Sequence, residues 1–565
     1  MDFDPKQSKC LDWRKILKSY RLSQFQVPKA CAICEKSSTT KCSGCFRVAY
    51  CSTQHQKDHW AQVHKHQCCS FKIVHHGGDV GRFVVATRDI KAGEIIIEEQ
   101  PVTVGPKQFT SPVCLGCHKE VGFSFRCPEC EWPLCGPTCQ ARSIHQIECS
   151  TLAKSKFKPN ESHSSPESGQ NPIYECITPL RCVLIKSLVA DNWNVMSVME
   201  QHTEQRQQEP FYPVNLTNTV NFLLNHMGLS TWTSAQEIMA MIDVLDVNAF
   251  EIRTDEFSIR GVFPLTAMMN SVCSPNTQNC IDSDFTCRVR AARDIAKGQE
   301  ITATYTLTLS GTLFRRKNLL ESKYFACKCE RCSDQTELGS HFSTLMCSRP
   351  GCKGQVTADD PLDFNSNWTC DKCQRSISHQ DVESLLCELD EENQTTPVQK
   401  GPLENRIRVL ERILHPNHNL ILDLKFSLCQ LYGLAKLPEP QAMINEARSK
   451  KRLCLEILHL MDAIVPGKFR LRGMFLLELY VVSLFLLRSE WENQEQGKMD
   501  KTRFQRSLEE LQGILQESIE ILGFEPQDSI EGRRCQTALT YMEKLSIMIA
   551  TSAQEKEKAL SVSAT

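Results

Sequence analysis

The sequence predicts an α+β protein. Its β-rich core is interrupted by a cysteine-rich finger and a helical insert, preceded by another finger, and followed by a further cysteine-bearing region and an all-helical C-terminal domain. Three observations predict this. Thirty-one cysteines in 565 residues gather into clusters with regular spacing. Short β-branched runs recur on both sides of the second cluster, and beyond residue 403 apolar residues recur at helical spacing.

At about 150 residues per domain the length implies three or four domains. Charged residues at 23% and apolar residues at 41% are ordinary for folded chains, which excludes wholesale disorder. Lys and Arg total 65 against 67 Asp and Glu, a net charge of −2 that offers no general field for nucleic acid phosphates. The opening Met1-Asp2-Phe3-Asp4-Pro5 lacks the basic and apolar regions of a signal peptide. The longest apolar stretch, Met474 to Leu487, contains Glu478 and is shorter than the ~20 residues a membrane span requires. An intracellular, reducing setting is therefore expected, where clustered Cys-x2-Cys pairs with nearby histidines indicate zinc rather than disulfides. The scattered Cys10, Cys387, Cys429, Cys454 and Cys535 read as small hydrophobes without a role.

A basic segment, residues 1–27, opens the chain with Lys6, Lys9, Arg14, Lys15, Lys18 and Arg21 beside Asp12. Such a run reads as a solvated helix face, so DNA binding is not expected. Residues 28–68 hold Cys31, Cys34, Cys42, Cys45, Cys51, His55, His64 and Cys68 in four pairs, enough for two tetrahedral zinc sites. Residues 114–149 repeat the plan with Cys114, Cys117, Cys127, Cys130, Cys135, Cys139, His145 and Cys149. Closed four-ligand sites are structural, since a catalytic zinc keeps a position for water. Both copies resemble the MYND finger, which implies that pairs one and three share one ion and pairs two and four the other. The shorter gap before His145 suggests a trimmed last helix in the second copy.

Between the fingers, Gly81 to Thr87 and Glu94 to Glu98 read as strands separated by the turn Lys91-Ala92-Gly93, placing one half of a β domain at 71–113. Residues 150–174, rich in Ser, Pro, Asn and Lys, read as a flexible insertion. Residues 175–250 read as helical, with Leu180, Leu184 and Leu188, then Val220, Leu223, Leu224 and Met227, at core spacing. Strand signals return in Glu256 to Ile259, Cys287 to Arg290 and Ile301 to Tyr305, giving the other β half at 251–306. In 307–380, Cys327, Cys329 and Cys332 lack a fourth ligand, whereas Cys347, Cys352, Cys370 and Cys373 form a complete ribbon-like site. A linker at 381–402 covers the acidic run Glu388 to Glu392. Helices fill 403–550 in the manner of tetratricopeptide repeats, and a polar tail, 551–565, ends the chain.

The stretch Leu265-Thr266-Ala267-Met268-Met269-Asn270-Ser271-Val272-Cys273, followed by Gly298-Gln299-Glu300-Ile301 and Tyr305, resembles a SET domain. The order of elements is similar to that of SET and MYND domain (SMYD) proteins. The extra finger, His415-Pro416-Asn417-His418 and Leu431-Tyr432-Gly433 are most similar to the arthropod SMYD-like (SmydA) branch. The resemblance implies an S-adenosylmethionine-dependent protein-lysine N-methyltransferase acting on histone or non-histone lysines, in transcriptional regulation. It implies Tyr305 as the catalytic tyrosine and Gly81, Asn248, Asn270, Ser271 and Phe325 as cofactor contacts. It also implies Cys273 as the missing fourth ligand, for about six zinc ions in all.

Two positions depart from the family. Ser271 stands where histidine is usual, and Asp79 where the cofactor loop usually has glycine. They support an alternative: a catalytically weak or inactive scaffold that recruits proline-rich or corepressor proteins through its MYND fingers. A monomer in nucleus and cytoplasm, with no membrane association, is expected in either case.

Overall fold

The computed structural model describes residues 12–24, 30–38, 40–42, 45, 48–65, 68–76, 81–108, 110–155, 157–159, 172–253, 258–433, 439–492 and 501–563. Lys6, Lys9, Cys10, Asp79, most of the expected flexible insertion and the first part of the Glu256 to Ile259 strand signal lie outside them.

Three small sheets form the β core, and each joins strands from the two halves of the domain. Phe71–His76 pairs with Gly81–Ala86, which pairs with Glu300–Ala303, which in turn lies parallel to Asn270–Ser271. Ile95–Glu99 pairs with Cys287–Ala291, itself paired with Thr277–Ile281. Thr103–Pro106 pairs with Ser258–Val262, beside Phe250–Arg253. The inward side chains Val84, Ile97, Val104, Ile259, Val289 and Ile301 fuse these sheets into one hydrophobic cluster. The turn before Ile95 needs a left-handed residue, and Gly93 supplies it at φ 90°.

The expected basic segment contains the helix Trp13–Ser23, which docks on this core through Leu17 and Tyr20. Arg14, Lys15 and Lys18 face solvent, while Arg21 stacks on Phe71 at 4.6 Å. The charge run is thus the outer face of an amphipathic helix.

Everything between Pro106 and Phe250 is excursion from the sheets: the second finger, then helices that include Ile177–Leu188 and Ala235–Asn248. Arg181 ties finger, helices and core together. Its guanidinium donates to both carboxylate oxygens of Glu148 (3.0 and 2.7 Å), to the Val104 carbonyl (2.8 Å) and to the Leu115 carbonyl (2.8 Å), and contacts His118 Nε2 at 2.9 Å. Both charges are buried, at 1% and 0% exposure, so removing one strands the other. Arg181→Met should therefore cost about 3–5 kcal/mol of stability. Urea unfolding checks this, and a loss below ~1 kcal/mol would mean that water reaches Glu148.

Four expectations change. Leu188 is 58% exposed, because Ile177–Leu188 ends there and Leu188 lies beyond the face that Leu180 and Leu184 bury. The last helix of the second finger, Ser143–Lys154, is not trimmed; the short gap instead reduces the preceding helix to Pro137–Gln140, against Thr53–His59 in the first finger. Much of the expected linker is the helix His379–Thr395, capped by Ser378 accepting from the Asp381 N–H and anchored by Val382 and Leu389. The expected tail continues the helix Ile530–Ser563, in line with its Ala, Gln, Glu, Lys and Leu content.

C-terminal to the ribbon, consecutive helices from Lys400–Leu410 to Ile530–Ser563 each pack on the next. Among them Cys429 and Cys454, far apart in sequence, bring their sulfurs to 3.6 Å inside the core. No described helix is long and apolar enough to cross a membrane.

Candidate functional site

The ligand atoms of five four-residue groups each lie within 4.8 Å of one another. In the first finger these are Cys31, Cys34, Cys51 and His55, then Cys42, Cys45, His64 and Cys68. The second finger gathers Cys114, Cys117, Cys135 and Cys139, then Cys127, Cys130, His145 and Cys149. Cys273 joins Cys327, Cys329 and Cys332. A sixth group forms in the ribbon, where Cys347 lies 3.5 Å from Cys373 and Cys352 lies 3.8 Å from Cys370. The edges of a tetrahedron of thiolates at ~2.3 Å from zinc are about 3.8 Å. Measured sulfur separations such as 3.8 Å (Cys42 to Cys68), 3.7 Å (Cys127 to Cys149) and 3.4 and 4.0 Å (Cys273 to Cys332 and Cys327) bracket that value. The donor sets are soft, fourfold and closed, and they suit zinc in a structural role.

The Cys273 cage is held by a buried charge network that sequence reasoning missed. Arg315 approaches Cys332 Sγ at 3.6 Å and donates to Glu337 at 2.8 Å, and Arg331 donates to Glu337 and to the Cys273 carbonyl at 3.2 Å. All three side chains are within 1% of full burial. Burial opposes ionisation of Glu337, yet the two guanidiniums hold its carboxyl at about 2. Their positive charge would also offset the net negative charge of four thiolates around a bound divalent ion.

Phe325 packs against this cage on one side and on the other lines a cleft of about 3470 Å³, lined also by Gly81, Asn248, Asn270, Ser271 and Tyr305. All six expected contacts therefore share one cavity, drawn from five separate segments. The cleft is several times a small-molecule pocket of roughly 300–1,000 Å³ and extends to Asp282, Arg470, Asp528 and Glu531 on the C-terminal domain side. It has room for a cofactor and a peptide together.

Tyr305 stands two residues beyond the strand Glu300–Ala303, not within it. Its hydroxyl donates to the Met269 carbonyl and lies 3.4 Å from that of Ala267. Its backbone N–H donates to Ser271 Oγ at 3.0 Å. One segment, Ala267 to Ser271, thus holds the tyrosine at both ends, and the departure at Ser271 supplies one of the two holds. Burial raises the phenol's pKa, so the hydroxyl stays protonated at neutral pH. Asn276 locks the adjoining strand, accepting from the Thr302 N–H at 2.8 Å and donating to the Glu300 carbonyl at 2.8 Å.

Asn248, at the end of the helix Ala235–Asn248, donates its amide to the carbonyls of Glu200 (2.7 Å) and Val244 (3.0 Å). Asn270 donates its amide to Glu300 at 2.8 Å. Neither amide oxygen accepts a hydrogen bond among the described residues, so both remain for a ligand's amino or hydroxyl donors. Gly81, at φ 63°, has no atom of the described residues within 4 Å of where a Cβ would stand, which leaves room for close approach. These acceptor oxygens, the open backbone at Gly81 and the aromatic face of Phe325 suit a nucleoside-like cofactor.

Glu99, also missed, is fully buried at the end of the strand Ile95–Glu99. Its alternation with Ile97 turns it inward, a signal visible in sequence. It accepts from Leu265 N–H (2.7 Å), Thr266 N–H (2.9 Å), Thr266 Oγ1 (2.8 Å) and the Tyr20 hydroxyl (3.0 Å).

Residues 81–306 match the SET domain family and residues 31–68 the MYND finger family. A Drosophila melanogaster protein named SET domain-containing protein SmydA-8, isoform A, is 34% identical over 310 residues, 53% of this chain and 64% of that protein. The Arabidopsis thaliana protein named histone-lysine N-methyltransferase ASHR1 is 26% identical over 330 residues, 56% of this chain and 67% of its own. The chain thus spans just under two thirds of the length of the SmydA-8 relative. A solved structure of Rubisco LSMT bound to AdoMet aligns over 80% of this chain and 98% of its own, at 10% identity and a TM-score of 0.27, too low to carry an argument. Both domain families are matched in one chain, which is thus similar to SET and MYND domain proteins over these residues.

Proposed function

We propose that the protein is an S-adenosylmethionine-dependent protein-lysine N-methyltransferase. The observation that carries this reading is Tyr305, held at its hydroxyl and its N–H by one segment and facing a cleft that also gathers Gly81, Asn248, Asn270, Ser271 and Phe325. Bound there, the cofactor supplies a methyl group to a lysine amine. Free lysine has a pKa near ~10.4, so only about one amine in a few thousand is neutral at pH 7. Tyr305 and Ala267, both half-buried where they line the cleft, favour the neutral amine by restricting water. The Tyr305 hydroxyl and the carbonyls beside it orient that amine along the line of displacement. Asn248 and Asn270 offer acceptor oxygens to the cofactor, and Phe325 offers an aromatic face.

Protein lysines, with histones among them, are the substrates of this reading. The two fingers serve as docking sites for proline-rich or corepressor proteins, and residence in nucleus and cytoplasm accompanies them. The acceptance of the Tyr305 N–H by Ser271 favours an enzyme over a scaffold, because the departing residue maintains the tyrosine's position.

Calorimetry of zinc-replete protein with S-adenosylmethionine tests the proposal, followed by mass spectrometry of lysine peptides and core histones. Affinity near the micromolar range, roughly −8 kcal/mol, and methylated product are expected. Absence of heat at ~1 mM cofactor, with binding restored by Ser271→His, would establish the scaffold instead.

A further inference from the structure

We propose that Glu99 is a positioning residue for Tyr305, and that the helix Trp13–Ser23, which precedes the matched SET span, completes the catalytic unit through Tyr20. The inference rests on the methyltransferase reading for its kinetic consequences, but its geometry stands apart from that reading.

Each Glu99 oxygen takes two donors. Oε1 accepts from Leu265 N–H and the Tyr20 hydroxyl, and Oε2 accepts from the N–H and hydroxyl of Thr266. Leu265 and Thr266 begin the single helical turn Thr266–Met268. The carboxylate therefore sits at the start of that turn, where unpaired N–H groups point, and fixes its orientation. At the far end of the same turn, the carbonyls of Ala267 and Met269 meet the Tyr305 hydroxyl. Two residues later Ser271 accepts the Tyr305 N–H. One short segment, pinned by Glu99 at its start, thus sets both the height and the direction of the phenol.

Tyr20 makes the arrangement reach outside the SET domain. Its ring is fully buried, and its hydroxyl reaches Glu99 Oε1 at 3.0 Å and the Gln100 carbonyl at 3.4 Å. Without Tyr20, Oε1 keeps one donor where it now has two, in a site closed to water, and the carboxylate is free to rotate. A turn free to shift by a fraction of an ångström moves the Met269 carbonyl and the phenol with it, and positioning at that scale governs rate.

The test uses full-length, zinc-replete protein with Glu99→Gln and Tyr20→Phe. The glutamine keeps the size of the side chain but sets an NH2 group against donors that need an acceptor. Hydrogen exchange, read by mass spectrometry, follows the Leu265, Thr266 and Tyr305 amides in peptides spanning 265–271 and 300–306. Exchange should rise about tenfold or more in Glu99→Gln, the scale of one hydrogen bond to a charged group, and about threefold in Tyr20→Phe. Turnover at saturating cofactor should fall by about tenfold or more in Glu99→Gln, with peptide KM changed by less than about twofold. In a Tyr305→Phe background, Glu99→Gln should lower the residual rate no further, since it acts through the phenol.

Unchanged exchange in both variants overturns the proposal. So does a rate loss from Glu99→Gln as large in the Tyr305→Phe background as in the wild type, which would assign Glu99 to stability alone. Should Glu99→Gln fail to fold, Tyr20→Phe, which removes one hydroxyl, decides on the same measurements. A wild-type protein that transfers no methyl group refutes the methyltransferase reading, and the exchange experiment then still decides whether Glu99 and Tyr20 hold the tyrosine's segment.

Discussion

Tyr305→Phe should lower turnover by about 10²–10³-fold while leaving cofactor affinity within about twofold. The substitution removes one oxygen whose hydrogen now points to the Met269 carbonyl, and the ring keeps its packing against the core. In the proposed reading the cofactor is held by Asn248, Asn270, Gly81 and Phe325, for none of which is a hydrogen bond to that hydroxyl observed among the described residues. Ground-state affinity and rate should therefore separate. Calorimetry and single-turnover methylation of a lysine peptide measure both. A fall of less than about tenfold would mean that the backbone carbonyls of Ala267 and Met269 orient the amine by themselves, and a parallel loss of affinity would place the phenol in contact with the cofactor.

Cys273→Ser should have the second large effect, on metal content and cofactor binding together. The serine oxygen is a poor substitute for a thiolate, and structural zinc contributes about 10–16 kcal/mol of apparent binding energy in small peptides. Loss of that ion would release Cys327, Cys329 and Cys332 from their common partner, and Arg315, 3.6 Å from Cys332 Sγ, would no longer face a metal-bound thiolate. Phe325, which packs against this cage, loses its support. Elemental analysis should show one zinc fewer per chain, with cofactor affinity reduced about 10–100-fold, as for other groups that hold a metal site's surroundings in place. Retained affinity after loss of one zinc would show that Phe325 is positioned from the helix Thr312–Lys323 instead. Cys347→Ser in the ribbon serves as the comparison, since it should remove one zinc without weakening cofactor binding.

The contrast between these two sites explains what could be read early. A tetrahedral metal needs ligands at short chain separation, so Cys-x2-Cys pairs announce themselves, and the partition into alternating pairs followed the finger's known plan. The three-thiolate set at Cys327, Cys329 and Cys332 was legible as incomplete for the same reason. That Cys273 completes it depends on a chain reversal of more than fifty residues, which only resemblance could supply. Glu99 and Glu337 were missed for a different reason, although alternation with Ile97 already turns Glu99 inward. A glutamate in a charged stretch reads as solvent-facing, and its burial is decided by donors from distant segments: Tyr20 and Thr266 for one, Arg315 and Arg331 for the other. The helix His379–Thr395 was hidden by its acidic run, because the buried positions Val382 and Leu389 are two against a majority of polar residues.

Local chemistry therefore determined the fingers, the strands and the helical C-terminal domain directly from sequence, because thiolate spacing, alternation and helical periodicity act over a few residues. Tertiary structure alone decided that Asn248, Asn270, Tyr305, Phe325 and Gly81 share one cleft and that Cys429 meets Cys454. It alone turned Ser271 from a lost contact into the acceptor of the Tyr305 N–H. These outcomes depend on which carbonyls and donors meet when strands from the two halves pair across an insert of more than 140 residues, and no pattern within a single segment encodes that meeting.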